Sequence, residues 1–209
     1  MKLLKINEWK KDIVGHKNKI FLSLIFLLIA IILTVLSGNY VDEVKTAKVP
    51  DLILNNIPTI DLSPIYVWGI LVVILVYLSY PFIYQPRMIH YSIGVLSLFL
   101  AIRSGFLVLT HLQAPPGAIQ VASKGIFQFI SYKNDLFFSG HAGIPFLGFL
   151  IYKSKTIRYF LLFASIVLSI TVLLMHVHYS IDVASAYFIT YGVYKIGNTL
   201  FKSNPSQQP

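Results

Sequence analysis

The sequence predicts an all-α polytopic membrane protein with six transmembrane helices and both termini cytoplasmic. Three observations carry that prediction. Only 12% of the 209 residues are charged and 56% are hydrophobic, whereas soluble domains carry roughly 25% charged residues. Six apolar stretches approach the ~20 residues that cross a bilayer. The Lys and Arg residues gather between those stretches, with a strong bias to one side. The net charge of +9 invites a nucleic-acid reading, but clusters between apolar spans orient membrane proteins, so no nucleic-acid partner is expected. The length suits one domain. Without cysteine, disulfides and thiolate metal sites are excluded.

Taken in order, residues 1–19 form a Lys-rich cytoplasmic segment, 20–200 the transmembrane domain and 201–209 a polar, disordered tail. The spans are expected at 20–38, 64–84, 88–110, 137–152, 157–176 and 179–200. The first has an apolar core longer than the 7–15 residues of a cleaved signal, and reads as a retained helix. The fourth is short, so its outer end should lie near the membrane surface. Twelve Lys and Arg residues fall on the side of the termini, against Lys45, Lys48, Lys124 and Lys133 on the other, with Arg103 inside a span. His141, His178, Asp182, Asp51 and Asp135 then all belong to the external side. Two longer external segments, 39–63 and 111–136, remain. In the second, Ile119, Ala122, Ile126 and Phe129 recur at helical spacing. That stretch reads either as an interfacial helix at a lipid entrance or as a loop packed on the bundle.

The chemistry concentrates in FFSGHAG (137–143) and HVHYSIDV (176–183). His178 and Asp182 are four apart and share a face if helical. A carboxylate that hydrogen-bonds one imidazole nitrogen fixes the tautomer and raises the basicity of the other, making a nucleophile or base near neutral pH. An Asp in an apolar span is a functional candidate because it is expensive there. In SGH, free N–H groups at a helix start favour anions, and Gly140 lets a phosphate approach the main chain. Ser139 could cap the helix or donate to an oxyanion, and His141 would stand beside the anion as a general acid. Arg103 could meet a phosphate or pair with an external aspartate. Asp135 could orient His141 or cap the following helix.

Together these residues point to phosphoryl transfer through a phospho-histidine, with no metal or other cofactor. His176, two residues from His178, faces elsewhere on a helix and reads as structural. Lone His111 and His90 read as packing or surface groups. A zinc site from His176, His178, His141 and Asp182 is the weaker alternative. The aromatic residues of 127–138 could cage a choline ammonium, but an interfacial belt is the plainer reading.

HYSIDVASAY (178–187) resembles the HYTxDVxxAY motif of sphingomyelin synthases, and NDLFFSGHA (134–142) resembles the end of their CGDxxxSGHT motif. Pro50-Asp51, Ile57-Pro58 and IRSGFLVLTHLQAPPG (102–117) are similar to the family's first external loop and third helix. The resemblance runs from about 46 to 195, within the wider type 2 phosphatidic acid phosphatase (PAP2) superfamily. It implies a PAP2-like six-helix bundle that moves a phospholipid head-group phosphate, such as phosphocholine, to a ceramide- or diacylglycerol-type hydroxyl. It also implies His178 as nucleophile, Asp182 as its partner and His141 as general acid. Ser139, Gly140, Arg103, Asp135 and Tyr179 would bind substrate.

The departures are Lys133 and Asn134 for Cys and Gly, Ala142 and Ser180 for Thr, and an Arg-rich motif reduced to Arg103. The phosphatase KxxxxxxRP motif is absent, and Thr171-Val172 stands in place of its Ser-Arg pair. A lipid phosphatase or phospholipase C-like hydrolase would use the same site with water as acceptor. A six-helix transporter, or a metal- or haem-binding protein, is the reading from another class. Its polar groups would more often sit near the midplane. The short Ile- and Lys-rich chain suggests a bacterial inner membrane, with the site on the extracytoplasmic face.

Overall fold

The structure is a computed structural model and describes residues 6–121, 132 and 134–201. Among the described residues six α-helices follow one another: α1 (Ile6–Glu43), α2 (Ser63–Tyr84), α3 (Ile89–Leu109), α4 (Gly140–Ile151), α5 (Lys155–Leu174) and α6 (Ser180–Phe201). No strand occurs among the described residues, where a single parallel bridge joins Ala47 to Leu112. The proposed interfacial stretch after Val121, residues 127–131 and 133 of the aromatic stretch and the tail after Phe201 lie outside the described residues.

Local chemistry accounts for the helix ends. Pro64 sits in the first turn of α2, where its missing N–H costs nothing. Gln85 and Pro86 then turn the chain into α3. Among the described residues four segments are long and apolar enough to cross a membrane: Ile6–Glu43, Ser63–Tyr84, Pro86–Leu109 and Lys155–Leu174. The other two helices fall outside that set, and α4 is short, as expected for the fourth span. Twelve residues of α4 reach only about 18 Å, and α6 has the length but carries Asp182, Lys195 and Asn198 along it.

The first helix also departs from its expected bounds. It begins at Ile6 rather than near residue 20 and runs 38 residues. Tertiary contacts hold its Lys-rich part helical. Trp9 Nε1 donates to the Phe82 carbonyl at 2.7 Å, Arg87 pairs with Asp12 at 2.9 Å, and His16 stacks on His90.

Packing follows the order of the motifs. The first helix lies along α3, while α4 is wedged against α5 and α6. Val95 and Phe99 of α3, Ala142 and Leu147 of α4, Leu168 of α5 and Val193 of α6 are all essentially inaccessible. Phe21, Leu28, Leu75, Phe163 and Phe188 point outward and are exposed, an apolar exterior suited to lipid. Hydroxyls tie the helices where apolar burial supplies no drive in lipid. Tyr77 donates to the Ser92 carbonyl at 3.0 Å, Tyr91 to Asn198 Oδ1 at 2.8 Å, and Ser165 to the Ala142 carbonyl at 2.8 Å.

The segments 44–62 and 110–121 close over one end of the bundle. Ile60 N–H donates to the Leu174 carbonyl at 2.8 Å, and Ile119 N–H to that of Met175 at 3.0 Å. Leu54, Leu136 and Tyr179 form a small second core beneath them.

Gly143 sets how closely α4 approaches its neighbours. A Cβ there would stand 2.7 Å from the Phe99 ring and 2.9 Å from Thr190 Oγ1. Gly143→Ala should therefore cost about 1–3 kcal/mol, read as a lower midpoint of thermal unfolding in detergent. Gly105 in α3 has nothing within 4 Å, so Gly105→Ala should leave that midpoint unchanged or raise it.

Candidate active site

The second histidine motif is organised by one carboxylate. Asp182 lies in the first turn of α6 and has no accessible surface. Its Oδ2 accepts the Tyr179 N–H at 2.8 Å, the reach-back half of a capping box. The same oxygen stands 3.5 Å from His178 Nδ1, so the far ring nitrogen, Nε2, is the one left for chemistry. Its Oδ1 has no partner among the described residues. The next peptide N–H, that of Ser180, is taken by Asp51 Oδ2 at 2.6 Å. Asp51 Oδ1 meanwhile accepts the N–H groups of Ile53 and Leu54 at 2.9 and 3.0 Å. Two carboxylates thus hold the backbone immediately after His178.

The first motif is joined to the second through the main chain. Ser139 N–H donates to the Asp182 carbonyl at 3.1 Å, which sets the start of α4 against the start of α6. Ser139 occupies the N-cap position without a side-chain cap bond, and its buried hydroxyl has no partner among the described residues. Of the two roles open to it, capping or donation to an oxyanion, the cap bond is not formed. At Gly140 an added Cβ would meet Arg103 Nε at 3.7 Å and the Ile144 side chain at 3.9 Å. Space for an anion oxygen is therefore kept beside the helix start. His141 stacks on Tyr66 of α2, centroids 4.0 Å apart and planes at 22°.

Arg103 carries a positive charge into the bundle from α3. Its Nε donates to the Phe138 carbonyl at 2.8 Å, and its Nη1 meets Asp135 at 2.8 Å. Arg103, Asp135, Gly140, His141, Tyr66 and His178 line one cavity of about 340 Å³, with the loop residues Ile119, Gln120 and Val121 at its mouth. The alternatives for Arg103 thus converge: it pairs with an aspartate and faces the cavity. Asp135 pairs with Arg103 and is not bonded to His141.

Of the expected site residues, His141, His178, Arg103, Asp135 and Gly140 reach the cavity, and Asp182 stands directly behind His178. Ser139 and Tyr179 are not in its lining. Tyr179 donates to the Gln113 carbonyl at 2.9 Å and accepts the Val49 N–H at 3.2 Å, which makes it a pin for both loops. His176 adopts a positive φ of 53° and lies 3.2 Å from the Pro116 carbonyl through Nδ1. His111 meets Tyr40 and the Val108 carbonyl. Among the described residues no group of three His, Asp or Glu side chains is placed to hold a metal.

Two site residues were not singled out from the sequence for these roles. Tyr66 is one aromatic among many in an apolar span, with no local signal. Asp51 was legible as an external acid after a proline, but its hydrogen bond across 129 residues of sequence was not.

Residues 134–199 match the family model described as PAP2 superfamily C-terminal. Comparison with curated proteins and with solved structures returns no match. The matched stretch holds both histidine motifs and all of α4, α5 and nearly all of α6. The match covers about a third of the chain and likens that stretch to the PAP2 superfamily; at family level it supports a lipid enzyme of the phosphatase or phosphotransferase type.

Burial pushes the Asp51 carboxyl up, but the N–H donors of Leu54, Ser180 and Ile53 and the Ser180 hydroxyl outweigh it and hold it below its usual value. A carboxyl depressed by folding stabilises above its unfolded value of 3.8, and that stabilisation is lost as pH falls through the folded value. Asp51→Ala should cost about 1–3 kcal/mol at neutral pH by stranding these donors. Wild type should lose that advantage over Asp51→Ala as acid titrations pass below pH 3.8, read from unfolding midpoints across pH.

Proposed function

We propose that this chain, whose residues 134–199 carry a PAP2 superfamily C-terminal domain, transfers the head-group phosphate of a phospholipid to a lipid hydroxyl through a phospho-histidine. The carrying observation is an asymmetry between two imidazoles at one cavity. His178 has a buried carboxylate 3.5 Å behind Nδ1. His141 has no carboxylate partner and rests on an aromatic ring. The first arrangement suits a nucleophile, whose positive charge grows as it attacks. The second suits a group that gives and regains one proton.

The steps balance as follows. His178 Nε2 attacks phosphorus, and the bond from phosphorus to the diacylglycerol oxygen breaks. His141 in its protonated form gives that oxygen its proton, and Asp182 stabilises the imidazolium character on His178. Arg103 and the N–H groups at the start of α4 receive charge from the non-bridging oxygens. An acceptor hydroxyl of ceramide or diacylglycerol type then loses its proton to His141 and attacks phosphorus. The P–N bond breaks and His178 is restored. Arg103 meets its substrate with Asp135 already alongside, so a head group bearing an ammonium finds an anion next to the guanidinium. The site lies at the end of the bundle away from the Lys-rich part of α1, which makes it extracytoplasmic if positive charge stays inside. With water as acceptor the same steps describe a lipid phosphatase or phospholipase C-like hydrolase.

Purified protein given fluorescent ceramide and phosphatidylcholine should yield a slower-migrating fluorescent phospholipid on a thin-layer plate. His178→Ala should lower that rate by about a thousandfold or more, and His141→Ala by about 10²–10⁴. Phosphocholine released with no ceramide product would replace transfer by hydrolysis. No reaction with either acceptor would end the proposal.

A further inference from the structure

In the phosphoryl-transfer reading, His141 must carry a proton when the leaving oxygen needs one, and little around it favours that charge. Among the described residues, the charged or titratable groups that share its cavity are Tyr66 of α2, Arg103 of α3, Tyr132 and Asp135 before α4, and His178 before α6. Arg103 is a cation and His178 gains positive character during attack, so neither helps an imidazolium to form. The one acid of that set, Asp135, is paired with Arg103 at 2.8 Å. Asp182 stands behind the other imidazole, at His178 Nδ1. The loop side of the cavity adds only Ala114, Ala118, Ile119, Gln120 and Val121, none of them ionisable. His141 Nε2 itself is buried with no hydrogen-bond partner among the described residues.

The face of Tyr66 remains. Its ring centroid is 4.0 Å from that of His141, with planes at 22°, so the two faces touch. The Tyr66 carbonyl also lies beside the imidazole. A cation within about 6 Å of an aromatic centroid is attracted by the negative face of the ring, most strongly where water is excluded. A neutral imidazole gains the stacking alone, so the ring favours the protonated form.

The fold fixes where that ring stands. Tyr66 lies in the first turn of α2, where Asp61 Oδ1 accepts the Ser63 N–H at 2.9 Å and the Ser63 hydroxyl at 2.6 Å, a turn that starts the helix. Ile60 N–H ties that start to the end of α5 through the Leu174 carbonyl. Gly69, three residues after Tyr66, lets α2 lie close on α5, since an added Cβ would stand 2.8 Å from the Leu168 side chain. None of these contacts comes from the two histidine motifs.

We propose that the Tyr66 ring is the partner that holds the protonated form of His141, in the place a carboxylate would otherwise take. Tyr66 is a positioning residue: its aromatic face acts through the imidazole, and its hydroxyl is not needed. The catalytic consequence rests on the phosphoryl-transfer reading. A carboxylate partner would hold the proton firmly, whereas a ring face adds only about one pH unit of proton affinity. The proton then stays free to pass to the leaving oxygen and to return from the acceptor hydroxyl.

NMR of histidine-labelled full-length protein in detergent, without substrate, reports the titration of His141, with His141→Gln identifying its signal. Tyr66→Leu should lower the midpoint by about one pH unit, and Tyr66→Phe should leave it as in wild type. Because kcat/KM for the donor phospholipid falls where His141 loses its proton, the alkaline limb of its pH profile should move down equally in Tyr66→Leu and stay in place in Tyr66→Phe. A midpoint unmoved in Tyr66→Leu would overturn the proposal. So would an equal shift in Tyr66→Phe, which would assign the role to the hydroxyl. A shifted midpoint in a protein that turns over no phospholipid would uphold the pairing and end the phosphoryl-transfer reading, so the two fail separately. Thermal unfolding checks each variant, and Tyr66→Met decides the question if Tyr66→Leu unfolds.

Discussion

A carboxylate with no solvent contact is the constraint around which this bundle is arranged. Burying an ionised Asp among apolar helices is costly unless its oxygens find donors. Asp182 Oδ2 takes the Tyr179 N–H and stands 3.5 Å from His178 Nδ1, while Oδ1 has no partner among the described residues. Those two contacts start α6 and turn His178 so that one nitrogen faces the acid and the other faces away. The backbone carbonyl of the same residue accepts the Ser139 N–H, which brings the first histidine motif alongside the second. One residue therefore caps a helix, orients an imidazole and joins two motifs.

The loops complete what Asp182 begins. Asp51 takes the Ser180 N–H, and the Tyr179 hydroxyl bridges Gln113 and Val49. Both long connections are thereby fastened to the tripeptide that begins with His178. On the far wall Arg103 binds the Phe138 carbonyl and Asp135, so the lead-in to α4 is held by α3. The cavity sits between these two sets of polar contacts, and its shape depends on each of them. That arrangement suits phosphoryl chemistry, in which positioning and charge stabilisation supply most of the rate.

Much of the architecture was legible because apolar runs are long and punctuated. The expected spans at 64–84, 88–110 and 179–200 fall within about a residue of α2, α3 and α6. The beginning of α1 was not legible, because a Lys-rich stretch reads as a solvated head until its contacts with Phe82, Arg87 and His90 are known. At the site, the spacing of His178 and Asp182 was readable as a local pair. The Arg103–Asp135 ion pair, the His141–Tyr66 stack and the Asp51–Ser180 bond join residues 32 to 129 positions apart, and no local pattern encodes them. Neither Ser139 nor Tyr179 is in the cavity lining, and the Tyr179 hydroxyl is engaged by Gln113 and Val49, 66 and 130 residues away, contacts that the motif does not encode.

If Asp182 sets the roles of the two imidazoles as we propose, His178, and not His141, is the covalent carrier of phosphorus. Rapid quenching of the protein with a phospholipid labelled in its head group tests this directly, followed by proteolysis under alkaline conditions and mass spectrometry of the histidine peptides. The account predicts a label on the peptide containing His178, stable in alkali and lost in acid, and much reduced in Asp182→Ala. A label on the His141 peptide, or turnover with no labelled histidine at any quench time, would contradict it.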